Sequence, residues 1–372
     1  MAKQVYEIDC GKIAGLFDGP SGKIVLGPDG FIDEVWQIVF SRSSREKYLL
    51  YEKMSDFSKA FASCSEGGFS NEIVRKRRSY GGFTANTSKA IIRLGICPTL
   101  IGMFGKDRVD PAFAEFAESS NLFSTGEPGI SQVYEFADGK LMLVYIQEVM
   151  GFNWLSLTEA VSEEELGKIF VDADVIALGY WSLVPAFDEI VTKVCGLCGS
   201  GIGDKRMFFD FADIRKKDKQ SLENTLGMLA KLGEQIPMTL SLNENEAELL
   251  FSYYGESLTE EAGEAGAQTE KIRNIIGLDE LIVHTPYLAA AASAQEGCCA
   301  LPQHYCTSPV ITAGAGDNFN GGYLSALLKG LPMVERLMVA NATTYQYVSL
   351  GHSPNKEEML AELSENAVIN VY

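Results

Sequence analysis

The sequence predicts an α/β protein: a mainly parallel central sheet with helices on both faces. Three observations carry this. From about residue 160 onward, helical and strand-like segments alternate, and the strand segments are short apolar runs of the kind covered on both faces. The 372 residues are 46% hydrophobic, enough for a large core. Finally, Asp210, Asn243, Glu246, Thr285 and the turn 314–317 fall at segment ends, and ligands of open α/β sheets sit outside the carboxyl ends of the strands.

Residues 24–39, IVLGPDGFIDEVWQIV, predict a strand, a turn at Gly27-Pro28-Asp29-Gly30 and a second strand. Asp33 follows the turn among apolar neighbours, either as a solvent-facing residue or as a carboxylate lining a pocket. Residues 41–70 are polar, with a helical piece around Tyr48–Ala62, and predict a surface insertion. Ile73–Tyr80 carries Arg75, Lys76, Arg77 and Arg78 and predicts an exposed basic strand, a solvated face rather than a site. Gly81 and Gly82 then allow close backbone approach to a ligand. They precede a helix with Ala90, Ile91 and Leu94 on its apolar face and Gly95 at its stop. Asn86 lies in the first turns of that helix, where asparagine is a weak former, so it is a cap or a ligand contact.

Thr99–Phe104 reads as a buried strand, and residues 130–150 alternate like edge strands around a hairpin turn at Asp138-Gly139. Helices over Glu163–Phe170, Pro185–Cys195 and Ser221–Leu232 alternate with strands over Val175–Leu178, Met207–Phe211 and Met238–Leu242. Leu281–Val283 adds a further strand. A last helical pattern begins at Gly314-Ala315-Gly316, with Phe319, Tyr323, Ala326 and Leu327 on one face. Gly330 and Pro332 stand where that helix should end.

The formal net charge of −19 argues against nucleic acid or an anionic membrane as the main partner. No run approaches a membrane span; the longest bland one, Leu288–Ala292, is short and alanine-rich. The first residues, MAKQVYEIDCGK, lack the apolar segment of a secretory signal. Eight cysteines without one predict reduced thiols and a cytoplasmic location. Cys195 and Cys198 form a lone C-x-x-C at the end of a helix and are read as structural thiols; Cys298 and Cys299 are read as packing. Gly19, Gly22 and Lys23 suggest a P-loop, but Ile24 replaces its hydroxyl residue, and Gly199, Gly201 and Gly203 follow a helix rather than a strand.

The turn 314–317 carries the most chemistry. A glycine turn at a helix N-terminus aims bare N–H groups at an anion. A carboxylate there, Asp317, would repel that anion. The combination makes sense if Asp317 takes a proton from a hydroxyl while the N–H groups hold the group being transferred.

Together these features resemble the ribokinase-like carbohydrate kinases, the PfkB family, over roughly residues 24 to 355. The most specific match is TAGAGDNFNGG from Thr312. The second is GGFTAN from Gly81, continuing through Leu94-Gly95 and the segment from Ile101 to Asp107. The third is Asn243 and Glu246 as N-x-x-E. The resemblance implies one ribokinase-like α/β domain over residues 1–372, with a small β-sheet lid from insertions at about 34–80 and 130–150 that often makes a homodimer interface. It implies a sugar kinase that moves the γ-phosphoryl group of MgATP to a hydroxyl of a sugar or sugar-like substrate.

In that scheme Asp317 is the general base, and Gly314, Ala315 and Gly316, with the Asp317 N–H, form the anion hole. Asp33, Gly81, Gly82 and Asn86 contact the sugar, and Asn243, Thr285 and Asn341 the nucleotide. Glu246 serves magnesium, acting through water. Trp181, with Tyr180, stands where some relatives carry an acidic sugar contact; it stacks on the substrate or belongs to the core. Two departures matter. Ile311 replaces an aspartate that in relatives helps hold a monovalent cation, which leaves that cation open. His284-Thr285-Pro286 replaces a G-x-x-G nucleotide loop, which keeps an ADP-dependent sugar kinase as an alternative; with Ile311 it also keeps a non-catalytic ligand-binding homologue, and a nucleoside kinase of the same fold stays open.

Overall fold

A computed structural model describes residues 4–64, 67–199 and 205–372. Its strands in chain order are β1 (Gln4–Glu7), β2 (Ile24–Gly27), β3 (Phe31–Arg42), β4 (Tyr48–Leu50), β5 (Ile73–Gly81), β6 (Thr99–Gly102), β7 (Asn121–Ser124) and β8 (Gly129–Phe136). They continue with β9 (Gly139–Tyr145), β10 (Val175–Gly179), β11 (Arg206–Asp210), β12 (Met238–Asn243), β13 (Glu280–His284), β14 (Leu288–Ser293), β15 (Gly297–Pro302) and β16 (Val368–Val371). Nine of them form one sheet in the order β15-β14-β13-β12-β11-β10-β2-β6-β7. The pairs from β13 through β7 are parallel, and only β13·β14 and β14·β15 are antiparallel.

Burial alternates along these strands. Ile176, Leu178, Met207, Phe209, Leu240 and Leu281 join one core cluster, whereas Val175, Ala177, Phe208 and Ile282 join the other. The first face is covered by the helices Glu163–Asp172, Phe187–Cys198 and Lys219–Gly233. The second is covered by Phe83–Arg93, Ala315–Leu328 and Met333–Leu350. Two apolar faces per strand are why the strand segments read as near-continuous hydrophobic runs. Cys195 and Cys198 lie buried at the end of their helix, and burial pushes the Cys195 thiol up to about 12.

The second sheet runs β4-β3-β8-β9, with β5 also paired to β3. It is built from the two segments expected to leave the main sheet. β3 leaves β2 through the turn at residues 28–30 and lies antiparallel to β5 and parallel to β8. That register sets Asp33 opposite Ser79 on one side and Ser131 on the other. Arg75, Lys76 and Arg77 are exposed on β5.

Several expectations change in detail. Tyr48–Leu50 pairs with the end of β3, so the helix of that insertion begins only at Met54. β8 is an inner strand between β3 and β9. The alanine-rich run Leu288–Ala292 is β14, and its small side chains pack against the helix Ala262–Ile276. Val310 and Ile311 form no strand; Val310 is 69% exposed. Gly201 and Gly203 lie outside the described residues. Among the described residues no helix is long and apolar enough to cross a membrane.

Candidate active site

The carboxyl ends of the central strands meet the N-terminus of the helix Ala315–Leu328 in a cleft with two chambers. One, of about 260 Å³, is lined by Phe83, Tyr180, Asp210, Glu246, Gly314 and Asp317 among others. The other, of about 400 Å³, is lined by Thr285, Tyr305, Thr344 and Tyr345 among others. Asn243, Asn245, His284, Thr312, Ala315 and Gly316 border both.

Gly314 sits at φ 84°, and a Cβ there would stand 2.9 Å from the Tyr347 hydroxyl, so only glycine suits the turn. That hydroxyl donates to the Ala313 carbonyl at 2.6 Å and fixes the approach to the helix. Within the turn, the Ala315 N–H donates to the Thr312 carbonyl at 3.2 Å. Ala315 is therefore withdrawn from the expected anion hole. The N–H groups of Gly314, Gly316 and Asp317 have no partner among the described residues and remain as donors.

Asp317 Oδ2 accepts a hydrogen bond from Asn86 Nδ2 at 2.9 Å, across 231 residues of sequence. Asp317 is half-buried and borders the smaller chamber. Burial holds its carboxyl well above the usual range; the Asp210 carboxylate pushes the same way, Asn86 opposes, and Asp29 and Asp33 add smaller pushes. Such a carboxylate, once ionised, is a stronger proton acceptor than a free aspartate.

Asp33 is likewise raised by burial, against a hydrogen bond from Ser131. Gly81 leaves space for it: a Cβ there would lie 2.7 Å from Asp33 Oδ2. Gly82, at φ 91°, lies against Asp29, whose carboxylate would collide with a Cβ. Asp29 was not among the sequence candidates. It is fully buried, and its Oδ1 accepts from the Thr84 N–H at 3.0 Å and the Thr84 hydroxyl at 2.5 Å. It thereby caps the Asn86 helix, whose own cap position, Gly82, has no side chain.

Asn243 and Glu246 form a capping box. The Asn243 side chain accepts from the Glu246 N–H at 3.1 Å, and Glu246 Oε2 accepts from the Asn243 N–H at 3.0 Å. Burial and then Asp210 hold the Glu246 carboxyl well above its usual range. Asp210 accepts from Asn320 Nδ2 at 2.8 Å and from the Ala212 N–H at 2.9 Å. Its place at the end of β11 was legible, but not its closeness to Glu246.

Two further expectations are corrected. Trp181 does not line the cleft: it is 1% exposed, stacks on Phe211 with ring centroids 5.0 Å apart, and donates through Nε1 to Thr225 at 2.8 Å. The cause is Tyr180, whose φ of 63° turns the chain so that Tyr180 faces the chamber, against Phe31, and Trp181 enters the core. Asn341 borders a separate cavity of about 220 Å³ beside Met338 and Glu362, with both side-chain amide atoms unpartnered. One helical turn later, Thr344, Tyr345 and Val348 border the larger chamber instead. Thr285 borders that chamber too, and its hydroxyl accepts the N–H groups of Tyr287 and Leu288, both at 3.1 Å, which closes a turn.

A doubly covered α/β sheet, a second small sheet, and a helix-terminal Asp over two chambers define a ribokinase-like carbohydrate kinase, a phosphotransferase with a hydroxyl acceptor. The sequence model of the prokaryotic ketohexokinase family matches residues 15–366, and the chain belongs to that family. The ketohexokinase of Haloferax volcanii is 25% identical over 344 residues, which cover 91% of this chain and 90% of the relative. The ribokinase of Arabidopsis thaliana, solved with ribose and ATP, superposes with a TM-score of 0.66 at 17% identity, covering 92% of this chain and 99% of that one. An E. coli neighbour solved with ATP and Mg2+ has a TM-score of 0.64 at 15% identity, covering 93% and 100%. The two structural likenesses establish the fold.

Proposed function

We propose that this protein transfers the γ-phosphoryl group of ATP to a hydroxyl of a ketohexose, with Asp317 accepting the hydroxyl proton. The observation that carries the reading is Asp317 at a helix N-terminus beside unpartnered N–H groups, its Oδ2 held by Asn86. The Asn86 bond leaves Oδ1 for the proton. Asp33, with Gly81, Gly82 and Asn86, holds the sugar hydroxyls. The Gly316 and Asp317 N–H groups stabilise charge on the moving phosphoryl group, which in phosphoryl transfer supplies most of the catalysis. The family supports a ketose as acceptor.

Magnesium fits this donor set. Asp210 and Glu246 are hard oxygen ligands with no lysine or arginine bonded to them, and Mg2+ commonly takes one or two carboxylates plus phosphate and water. When bound, it neutralises charge on the phosphates. The second sheet closes over the sugar as a lid and, through exposed Met142, Leu143, Val144 and Tyr145 of β9, pairs two copies; sedimentation as a monomer at micromolar concentration would remove that pairing. The enzyme acts in the cytoplasm.

Product formation from fructose, other ketohexoses, aldoses and nucleosides, with ATP or ADP as sole donor, tests the reading. ATP with a ketohexose is expected to give the fastest turnover. Turnover confined to ADP, or to nucleosides, would replace it.

A further inference from the structure

The phosphate chain of the donor must pass from the larger chamber, on the nucleotide side, to Asp317 in the smaller one. The residues bordering both chambers mark that neck, and His284 is the side chain there with an unused ring. It ends β13, and its ring stacks on Phe319 with centroids 4.5 Å apart and an interplanar angle of 24°. The stack fixes the ring plane and leaves the ring edge to the cleft. Gly316 makes room for it: a Cβ there would stand 3.1 Å from His284 Cε1. Neither ring nitrogen has a hydrogen-bond partner among the described residues, whereas His304, which also borders the larger chamber, is already bonded to Glu362 at 3.0 Å.

The charge around the neck sharpens the point. Among the residues bordering the two chambers, Arg215 alone is an arginine or lysine, and Asp213 already holds it through two hydrogen bonds of 2.7 and 3.1 Å. A polyphosphate in this cleft is therefore gripped largely by neutral donors.

We propose that His284 is a donor-binding residue that hydrogen-bonds a phosphate oxygen of the nucleoside polyphosphate at the neck, beside the Gly316 N–H. The inference rests on the kinase reading above and adds a contact outside the expected nucleotide set of Asn243, Thr285 and Asn341. Burial alone lowers the His284 pKa to about 4, so near neutral pH the ring is uncharged and offers one N–H donor. A neutral donor does not repel the divalent cation that accompanies a polyphosphate. Phe319 makes the contact directional, since the stacked ring can turn only in its own plane.

The test is calorimetric binding of ATP, ADP and adenosine, each with Mg2+, to the wild type and to His284→Phe, His284→Asn and His284→Gln. His284→Phe keeps the stack on Phe319 and removes the donor. ATP and ADP should bind about ten- to a hundredfold more weakly to it, as for loss of a hydrogen bond to a charged group, with adenosine unchanged. Asn or Gln should recover most of the loss, and the KM for the sugar should stay within about twofold. Unchanged ATP affinity in His284→Phe overturns the inference, and so does an equal loss for adenosine, which would mark a structural role. If His284→Phe does not fold, His284→Leu provides the same comparison. A wild type that binds nucleotide but phosphorylates no acceptor refutes the kinase reading separately, because the binding ratios do not depend on turnover.

Discussion

The two ends of the central sheet treat acidic side chains in opposite ways. At the amino end Glu280 opens β13, fully buried, and receives Arg336 Nη1 at 3.1 Å, Arg206 Nη1 at 3.3 Å and the Tyr323 hydroxyl at 2.5 Å. Arg336 is further paired with Glu296. At the carboxyl end Asp29, Asp210, Glu246 and Asp317 bond only to neutral groups: Thr84, Asn320, Asn86 and backbone N–H donors. The same strands span both situations, since β11 runs from Arg206 to Asp210 and β13 from Glu280 to His284. The compensated charge belongs to the scaffold. The uncompensated carboxylates are costly to the empty fold, and groups left in that condition are typical of sites that act on a ligand.

Glu280→Gln should be the most destabilising change, because it leaves Arg336 and Arg206 without their shared anion. Breaking a buried pair of this kind costs about 3–5 kcal/mol. Denaturant unfolding should register the loss, with KM values for sugar and nucleotide unchanged; a loss below about 1 kcal/mol would put Glu280 outside the scaffold.

Asp29 gives a pH signature. Burial raises its carboxyl from 3.8 to about 6, against the bonds from Thr84. A carboxyl raised on folding contributes stability that is fully present below its unfolded value and is lost as pH rises through the folded one. Asp29→Asn should therefore gain on the wild type between pH 4 and pH 7, by about 2 kcal/mol. Parallel stability curves for the two proteins over that range would mean that Asp29 is not held protonated.

Trp181→Phe should do least. It keeps the stack on Phe211 and removes the bond to Thr225, at about 1 kcal/mol. The KM for the sugar should not move; a several-fold rise would return Trp181 to the substrate.

What the sequence revealed follows the range of the interaction concerned. β10 to β13 were legible because strands covered on both faces are written as apolar runs. β14 was not, since LAAAAS lacks the β-branched and aromatic residues that mark strands. The turn at Gly314 and the Asn243 box are local and carried their signal in a few residues. Choosing between Tyr180 and Trp181 required the positive φ of Tyr180, which no spacing encodes. Asp29 with Thr84, and Glu280 with Arg336, are pairings 55 and 56 residues apart, set by which elements pack together. Ala315 was placed in the anion hole because its N–H bond to Thr312 depends on how the loop enters the helix.

The most direct test of the central claim pairs Asp317→Asn with the wild type, measuring ATP binding and ATP-dependent ketohexose phosphorylation on the same samples. The account predicts that ATP binding is kept, that the fold is at least as stable with one uncompensated carboxylate removed, and that turnover falls by about 10²–10⁴-fold. Wild-type turnover in Asp317→Asn would contradict it.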